Sequence, residues 1–201
     1  MKILSVGMCF LLTAVLQVNA QVAPLRPKAG GGKETKEGNC GLLYGKDHSL
    51  TFCAPDGWQL DNGILNDQGI FAVFYPVGSS WQEAKDSGTM MYINVVGKPT
   101  DSTVAQMMAA DADDAKRSAP STQVQPGEAI KIGELAAPIL RFAPGAFNRY
   151  EAVAYLGEEK VLVMFVMSSK NEEFFKKDYP AFVRLVQSYK FLSSNVTIEH
   201  K

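Results

Sequence analysis

Runs of β-branched and aromatic residues, separated by short polar or Gly/Pro-containing segments, dominate the chain after residue 40. Such runs are typical of strands in a sheet with at least one buried face. They predict strands at 49–54, 69–75, 90–96, 129–132, 138–142, 150–156 and 161–167. The last two runs are joined only by the polar residues 157–160, so we expect them to form a hairpin.

The run Val161–Met167 is apolar at every position. A strand with one wet face would alternate between apolar and polar residues, so this pattern predicts a strand that is covered on both faces. At seven residues the run is far shorter than the roughly 20 that a membrane-spanning helix needs. The sheet must therefore have other elements packed on each side.

Two segments carry apolar residues at helical spacing. The first is predicted to begin at a cap on Asp101 or Ser102 and to end near Pro120. The second is predicted as residues 172–177, followed by a new first turn at Pro180 and a helix to residue 189. Ser80 and Glu83 also have the spacing of a capping box. Together the elements predict an α+β fold, a mainly antiparallel β-sheet flanked by helices on both faces.

The first twenty residues have a short apolar stretch followed by Val18 and Ala20 at the positions that a signal peptidase reads. We predict a signal peptide over 1–20, cleaved after Ala20, and an exported protein, periplasmic or extracellular, that is not integral to a membrane after cleavage. Residues 21–39 are rich in Pro, Gly and charge and are predicted to be a flexible linker. A single domain is expected over 40–194, with a frayed tail over 195–201.

Two cysteines remain after the predicted cleavage, Cys40 and Cys53, an even number in an oxidising compartment. The residues between them resemble two short strands with a turn near 45–48, a layout that brings the two ends together. We therefore predict a disulfide between Cys40 and Cys53.

Composition and charge exclude several functions. The net charge is −1 from 20 basic and 21 acidic residues, which gives no electrostatic footprint for nucleic acid. The only two histidines, His48 and His200, lie at opposite ends of the chain, so we predict no metal site. No nucleophile elbow, phosphate-binding loop or dinucleotide fingerprint occurs, and we predict no cofactor and no catalytic residue.

The segment Leu50–Trp58 joins a strand to a Pro-x-Gly-Trp turn, and a capped helix begins near Asp101. With the hairpin and aromatic helix over 150–189, these features resemble the PsbP/DcrB-like superfamily of small α/β/α sandwich domains, over about residues 49–191. The resemblance implies a non-catalytic binding or assembly domain, because members act mainly as accessory subunits, partner-binding proteins or chaperones. It implies no catalytic motif.

The leading hypothesis is thus an exported, non-enzymatic binding or accessory protein of the cell envelope, whose partner is an unknown protein or hydrophobic ligand. Aromatic residues beside loops and a nearby arginine are enriched at binding hot spots. The candidate partner-binding residues are Trp58, Trp81, Phe147, Arg149 and Tyr150. Two alternatives stay open: a hydrolase or isomerase with an Asp/Glu site in a groove beside the sheet, and a carrier of a lipid or hydrophobic segment.

Overall fold

The computed structural model describes residues 20–24, 39–62, 64–65, 70–144 and 148–196. The predicted signal peptide up to residue 19, most of the predicted linker, Phe147 and the end of the tail lie outside these ranges. The predicted domain boundaries and cleavage site therefore stay predictions.

Seven strands form the main sheet, and every neighbouring pair in it is antiparallel. In spatial order they are β4 (Trp58–Asp61), β5 (Ala72–Pro76), β6 (Thr89–Gly97), β10 (Val161–Ser169), β9 (Tyr150–Gly157), β8 (Leu135–Ala143) and β7 (Gln123–Ile132). The predicted hairpin of 150–156 and 161–167 is present as β9 and β10. β10 lies at the centre of the sheet, which explains its continuously apolar sequence.

A second, four-stranded antiparallel sheet contains both ends of the described chain. Its strands are β1 (Ala20–Pro24), β2 (Cys40–Gly45), β3 (His48–Cys53) and β11 (Lys190–Ser193), in that order. The turn between β2 and β3 places Cys40 directly opposite Cys53, and the two form the predicted disulfide. Residues 21–24, the start of the predicted linker, pair with β2.

One face of the main sheet packs against α3 (Glu172–Gln187) and the small sheet. The core between them is aliphatic and aromatic, and it contains Phe165 of β10 together with Phe182 and Leu185 of the helix. Phe52 of β3 meets Phe74 of β5 edge to face, with ring centroids 5.6 Å apart. Alternate residues of a strand project to opposite faces, so this core takes every second residue of the central strands.

The other face is covered by α1 (Trp81–Ser87) and α2 (Val104–Ser118). The capping box of Ser80 and Glu83 begins α1, as predicted. The cap of α2 is Thr103, one residue after the predicted Ser102, because the Thr103 hydroxyl accepts from the Gln106 backbone N–H. Helices on both faces confirm the predicted fold class.

Helix α3 runs without interruption through Pro180, where we predicted a break. Proline removes one backbone hydrogen bond and its ring crowds the preceding turn. Pro180 is exposed, however, while Ala181, Phe182 and Leu185 beyond it are buried. Packing of this stripe against the sheet keeps the two halves in one helix.

Both edges of the main sheet carry features that restrict further pairing. At β4, the side-chain amide of Asn39 donates to the Trp58 carbonyl (2.5 Å) and its oxygen accepts from the Leu60 N–H (3.2 Å). At β7, Pro126 lacks an N–H group and the pairing with β8 is irregular between Gly127 and Ile130. Such features limit edge-to-edge association, and they leave residues 123–125 as the regular part of the β7 edge.

Gly157 at the end of β9 gives a first prediction, because a Cβ atom there would overlap Val104 in the first turn of α2. We expect Gly157→Ala to lower the free energy of unfolding by about 1–2 kcal/mol, since overpacking forces the helix to shift. Urea titration followed by circular dichroism measures this. Gly97→Ala is the control. Gly97 is the last residue of β6, and a Cβ atom there would meet no other atom within 4 Å. Equal stability of the two variants would contradict the prediction.

Candidate functional site

Trp58 and Trp81, two of the residues predicted to bind a partner, lie in different parts of the fold. Trp58 is 6% exposed and belongs to the main core, where a turn at Gly57 with a positive φ of 81° leads into β4. Trp81 is half-buried at the start of α1 and packs against a small cluster that includes Val73, Tyr75 and Ala84. Trp58 is thus part of the core, and its role in partner binding stays a prediction.

Arg149 is also buried, and its guanidinium group is fully used within the fold. It donates to the Ser168 hydroxyl (2.8 Å) and carbonyl (2.9 Å), and to the carbonyls of Lys85 (2.6 Å) and Gly88 (3.1 Å). Lys85 and Gly88 lie at the C-terminal end of α1, where carbonyl groups lack helical partners. Arg149 therefore joins α1 to β10 within the fold, and its contact with a partner stays a prediction.

Tyr150 is half-buried and lines a pocket between the β7–β8 edge of the main sheet and the start of α3. The pocket has a volume of about 200 Å³. Its walls combine amide, charged and aromatic side chains from Gln123, Gln125, Arg141, Phe142, Ala143, Tyr150, Glu151, Glu172, Phe175 and Lys176. Of the four predicted residues that the structure describes, Tyr150 is the one that lines this pocket.

Arg141 is the central cation of the pocket. Its Cζ atom lies 4.8 Å from the centroid of the Tyr179 ring and 5.9 Å from that of Phe175. Such contacts hold a guanidinium by its attraction to the electron-rich ring faces. The two aromatic residues come from successive turns of α3, and Arg141 comes from β8, so the fold assembles this arrangement from distant segments.

The Arg141 guanidinium has no hydrogen bond or ion pair with any residue that the structure describes, and its Nε atom is buried without a partner. Two acidic residues are among those that line the pocket, and the carboxylate of each has a partner: Glu172 has one in the pocket wall, and Glu151 has one in the polar network beneath α2. Glu172 pairs with Lys176 (2.6 Å), and Glu151 accepts from the Ser168 hydroxyl (2.8 Å). Among the charged residues that line the pocket, Arg141 is therefore the one without a hydrogen-bond or ion-pair partner in the described part of the chain, and aromatic rings lie beside its guanidinium.

A second polar cluster lies beneath α2, on the opposite face of the sheet, and consists of Tyr92, Asp111, Glu151 and Tyr155. The Tyr155 hydroxyl donates to Asp111, and Asp111 is half-buried between α2 and the sheet. Burial raises the pKa of Asp111, against the opposing effect of the Tyr155 hydrogen bond. Burial also raises the pKa values of Tyr92 and Tyr155, and the nearby carboxylates raise them further.

Glu151 connects this cluster to Arg149. Burial raises its pKa to about 6, although the hydrogen bond from Ser168 and the charge of Arg149 both act to lower it. The Ser168 hydroxyl connects the two side chains, since it accepts a hydrogen bond from Arg149 and donates one to Glu151. A carboxyl that titrates near pH 6 in a partly buried site is a feature of acid–base catalysts and also of structural networks.

This pKa gives a second prediction, for the variant Glu151→Gln. A carboxyl whose pKa is raised on folding favours the native state below its unfolded value, about 4.5, and loses that contribution as the pH rises through 6. The neutral amide of glutamine avoids this loss. We therefore expect the variant to match the wild type near pH 4 and to be more stable by up to about 2 kcal/mol at pH 8.

Urea unfolding at pH 4, 6 and 8 checks this expectation. Glu134→Gln, in the exposed turn between β7 and β8, is the control and should change the stability by less than about 0.5 kcal/mol at each pH. A stability difference for Glu151→Gln that does not grow between pH 4 and pH 8 would show that Glu151 does not titrate as described.

Within the described ranges, no group of three or more His, Cys, Asp or Glu residues is placed to hold a metal ion. None of the helices there is long and apolar enough to span a bilayer. The expected absence of a metal site and of a cofactor, and the cleavage after Ala20, stay predictions.

Sequence reasoning missed Arg141, the central residue of the pocket, and Asp111, the link between α2 and the sheet. Arg141 is an isolated cation in the strand run 138–142, and only the packing of α3 over β8 places aromatic rings beside it. Asp111 is one of three acidic residues in four positions of α2, and its spacing from Met107 and Met108 on the apolar stripe was the one available signal.

Comparison with known proteins supports the fold. No protein-family model matches the chain, and neither does any curated protein sequence. Among solved structures, LpqN of Mycobacterium tuberculosis, described as involved in cell envelope biogenesis, superposes with a TM-score of 0.51 and 11% identity, covering 89% of this chain and 94% of that one. The PsbP protein CyanoP of Synechocystis sp. PCC 6803 matches with a TM-score of 0.47 and 14% identity, over 87% of this chain and 94% of that one.

The match to LpqN shows the fold. This chain has a PsbP/DcrB-like fold, as the sequence resemblance indicated. At 11% identity the likeness says nothing of partners or activity.

Proposed function

We propose that this protein is an exported, non-enzymatic accessory protein of the cell envelope that binds another protein at the Arg141 pocket. The observation that carries the proposal is the unpaired Arg141 guanidinium, held over Phe175 and Tyr179 at the wall of an open pocket. An arginine and aromatic residues around a pocket are the side chains most enriched in interface hot spots.

Export is supported by two independent features. The N-terminal sequence has the pattern of a cleaved signal peptide. The disulfide of Cys40 and Cys53 is typical of proteins in oxidising compartments such as the periplasm and the extracellular space. LpqN, which has the same fold, is described as acting in cell envelope biogenesis, and this is compatible with the proposed setting.

A non-enzymatic role fits the way the carboxylates are used. Glu151 and Asp111 are the two whose pKa values are raised by burial, as a hydrolase or isomerase would require. Each is tied to a hydroxyl of the fold, Glu151 to Ser168 and Asp111 to Tyr155. The enzymatic alternative therefore depends on Glu151, and turnover that Glu151→Gln abolishes would favour it over the binding role.

The third prediction tests the binding role directly. Cells that produce the full chain are crosslinked, the exported form is purified, and crosslinked proteins are quantified by mass spectrometry. We expect Arg141→Gln to reduce the yield of the specific partner about tenfold or more, because a charge-assisted hydrogen bond is lost at the centre of the interface.

Lys177→Gln is the matched control, because it removes one positive charge from an exposed part of α3 that does not line the pocket. It should leave the yield within about twofold of the wild type, the range expected for a charge outside the interface. Equal yields from Arg141→Gln and the wild type would overturn the proposal. Thermal unfolding of both variants verifies that each is folded.

A further inference from the structure

We infer that the Arg141 pocket binds the C-terminal residue of a partner polypeptide, with the terminal carboxylate on Arg141. This inference rests on the proposed function and names the chemistry of the partner. It follows from the charge, the wall and the size of the pocket, and from the strand that forms its outer side.

Charge is the first argument. Arg141 is the cation of the pocket without a described counter-ion, since Lys176 is paired with Glu172. Arginine presents its N–H groups in a planar fork that matches the two oxygens of a carboxylate. The ring contacts with Phe175 and Tyr179 hold the guanidinium in place before a ligand arrives, so less side-chain entropy is lost on binding.

The wall of the pocket is the second argument. In the C-terminal residue of a peptide, the carboxylate and the side chain are both attached to the Cα atom. One residue can therefore reach both Arg141 and the aromatic wall of Tyr150 and Phe175. An aspartate or glutamate side chain ends in its carboxylate, so it has no further apolar group to pack against the aromatic wall. The volume of about 200 Å³ is below the roughly 300–1,000 Å³ of pockets for larger organic ligands. It therefore suits a single terminal residue better than a long acyl chain.

The outer wall of the pocket is the third argument, and it favours a polypeptide over a small free acid. Gln123 and Gln125 of β7 line the pocket and offer amide donors and acceptors. β7 pairs only with β8 among the described strands, so its outer edge is open to the backbone of an extended segment. Pro126 and the irregularity after Gly127 restrict that edge to residues 123–125, beside the pocket.

The test uses dye-labelled hexapeptides that end in Leu, Val, Phe or Ala, each made as a free acid and as a C-terminal amide. Binding to the full chain, produced as the exported form, is measured by fluorescence polarisation. At least one free acid should bind, and its amide should bind about tenfold more weakly or worse. Arg141→Gln should weaken binding of the acid to a similar degree and leave the amide unchanged, because both changes remove the same contact.

Lys177→Gln should bind the acids within about twofold of the wild type, as expected for a charge outside the pocket. Equal binding of acids and amides, or additive losses from the amide and Arg141→Gln, would overturn the inference. Octanoate that competes as well as the best free acid would instead identify a carrier of apolar acids. Absence of peptide binding, combined with loss of the crosslinked partner in Arg141→Gln, would overturn this inference and leave the proposed function standing.

Discussion

Arg149→Met is expected to lower the free energy of unfolding by about 3 kcal/mol or more, because it removes four hydrogen bonds at one buried point. Methionine approximates the length of the side chain but offers no donor. The carbonyls of Lys85, Gly88 and Ser168 would then lose a charged donor. Native domains are stable by only about 5–15 kcal/mol, so the loss should be large in any unfolding experiment.

Urea titration measures this effect, and two further variants locate its cause. Arg149→Lys keeps the charge, but a single ammonium cannot reach acceptors on both α1 and β10, so an intermediate loss is expected. Arg117→Met removes an exposed arginine that pairs with Asp114 within α2, and it should change the stability by less than about 0.5 kcal/mol. If Arg149→Met unfolds at the same urea concentration as Arg117→Met, the bonding role of Arg149 is wrong.

The parts of the fold that could be predicted are those that a few neighbouring residues indicate by their own pattern. β10 is the clearest case, since the run Val161–Met167 is apolar throughout and lies at the centre of the sheet with both faces covered. The disulfide followed from two short strands and a turn, which are local features. The capping box at Ser80 was read from two residues three positions apart.

Edge elements were missed because their sequences carry little apolar pattern. The first half of β7, residues 123–128, is largely exposed and contains two glutamines and Pro126, so only its end was predicted. β4 and β11 have four residues each, too few to show a period. Strand β1 pairs with a partner about twenty positions away, and that pairing is not visible in its own composition.

The candidate site was predicted in part, through Tyr150 alone. Hot-spot reasoning selects aromatic and arginine residues near loops, but it does not reveal whether packing leaves them accessible. Trp58 and Arg149 fit this description, but both side chains are buried. Arg141 did not stand out, because its aromatic partners in α3 lie more than thirty residues away along the chain. Sites built from tertiary contacts of this kind require the assembled structure.

Loss of the disulfide is the second large effect that we expect. The replacement of both Cys40 and Cys53 by serine should lower the free energy of unfolding by about 3 kcal/mol, the entropy of closing a loop of this length in the unfolded chain. The two residues are 13 positions apart and directly opposite each other on β2 and β3. Urea unfolding of the exported form, with and without reductant, measures the difference.

The local consequence separates this explanation from a general loss of packing. Leu43, Leu50 and Phe52 of the small sheet belong to the main core, and the Cys53 N–H donates to the Ser188 hydroxyl (2.9 Å) at the end of α3. Without the covalent link, hydrogen exchange should accelerate most in residues 40–53, and next at the end of α3. The hairpin of β9 and β10 is paired on both sides within the main sheet and should keep its protection up to global unfolding.

Reductant provides the internal control for this prediction. It should lower the stability of the wild type to that of the double serine variant and leave the variant itself unchanged, because both then have the same covalent connectivity. A wild type whose unfolding midpoint is insensitive to reductant, while mass spectrometry shows that the thiols have formed, would contradict the assignment of about 3 kcal/mol to the crosslink. The stability of this region would then come from the packing of Leu43, Leu50 and Phe52 in the main core and not from the crosslink.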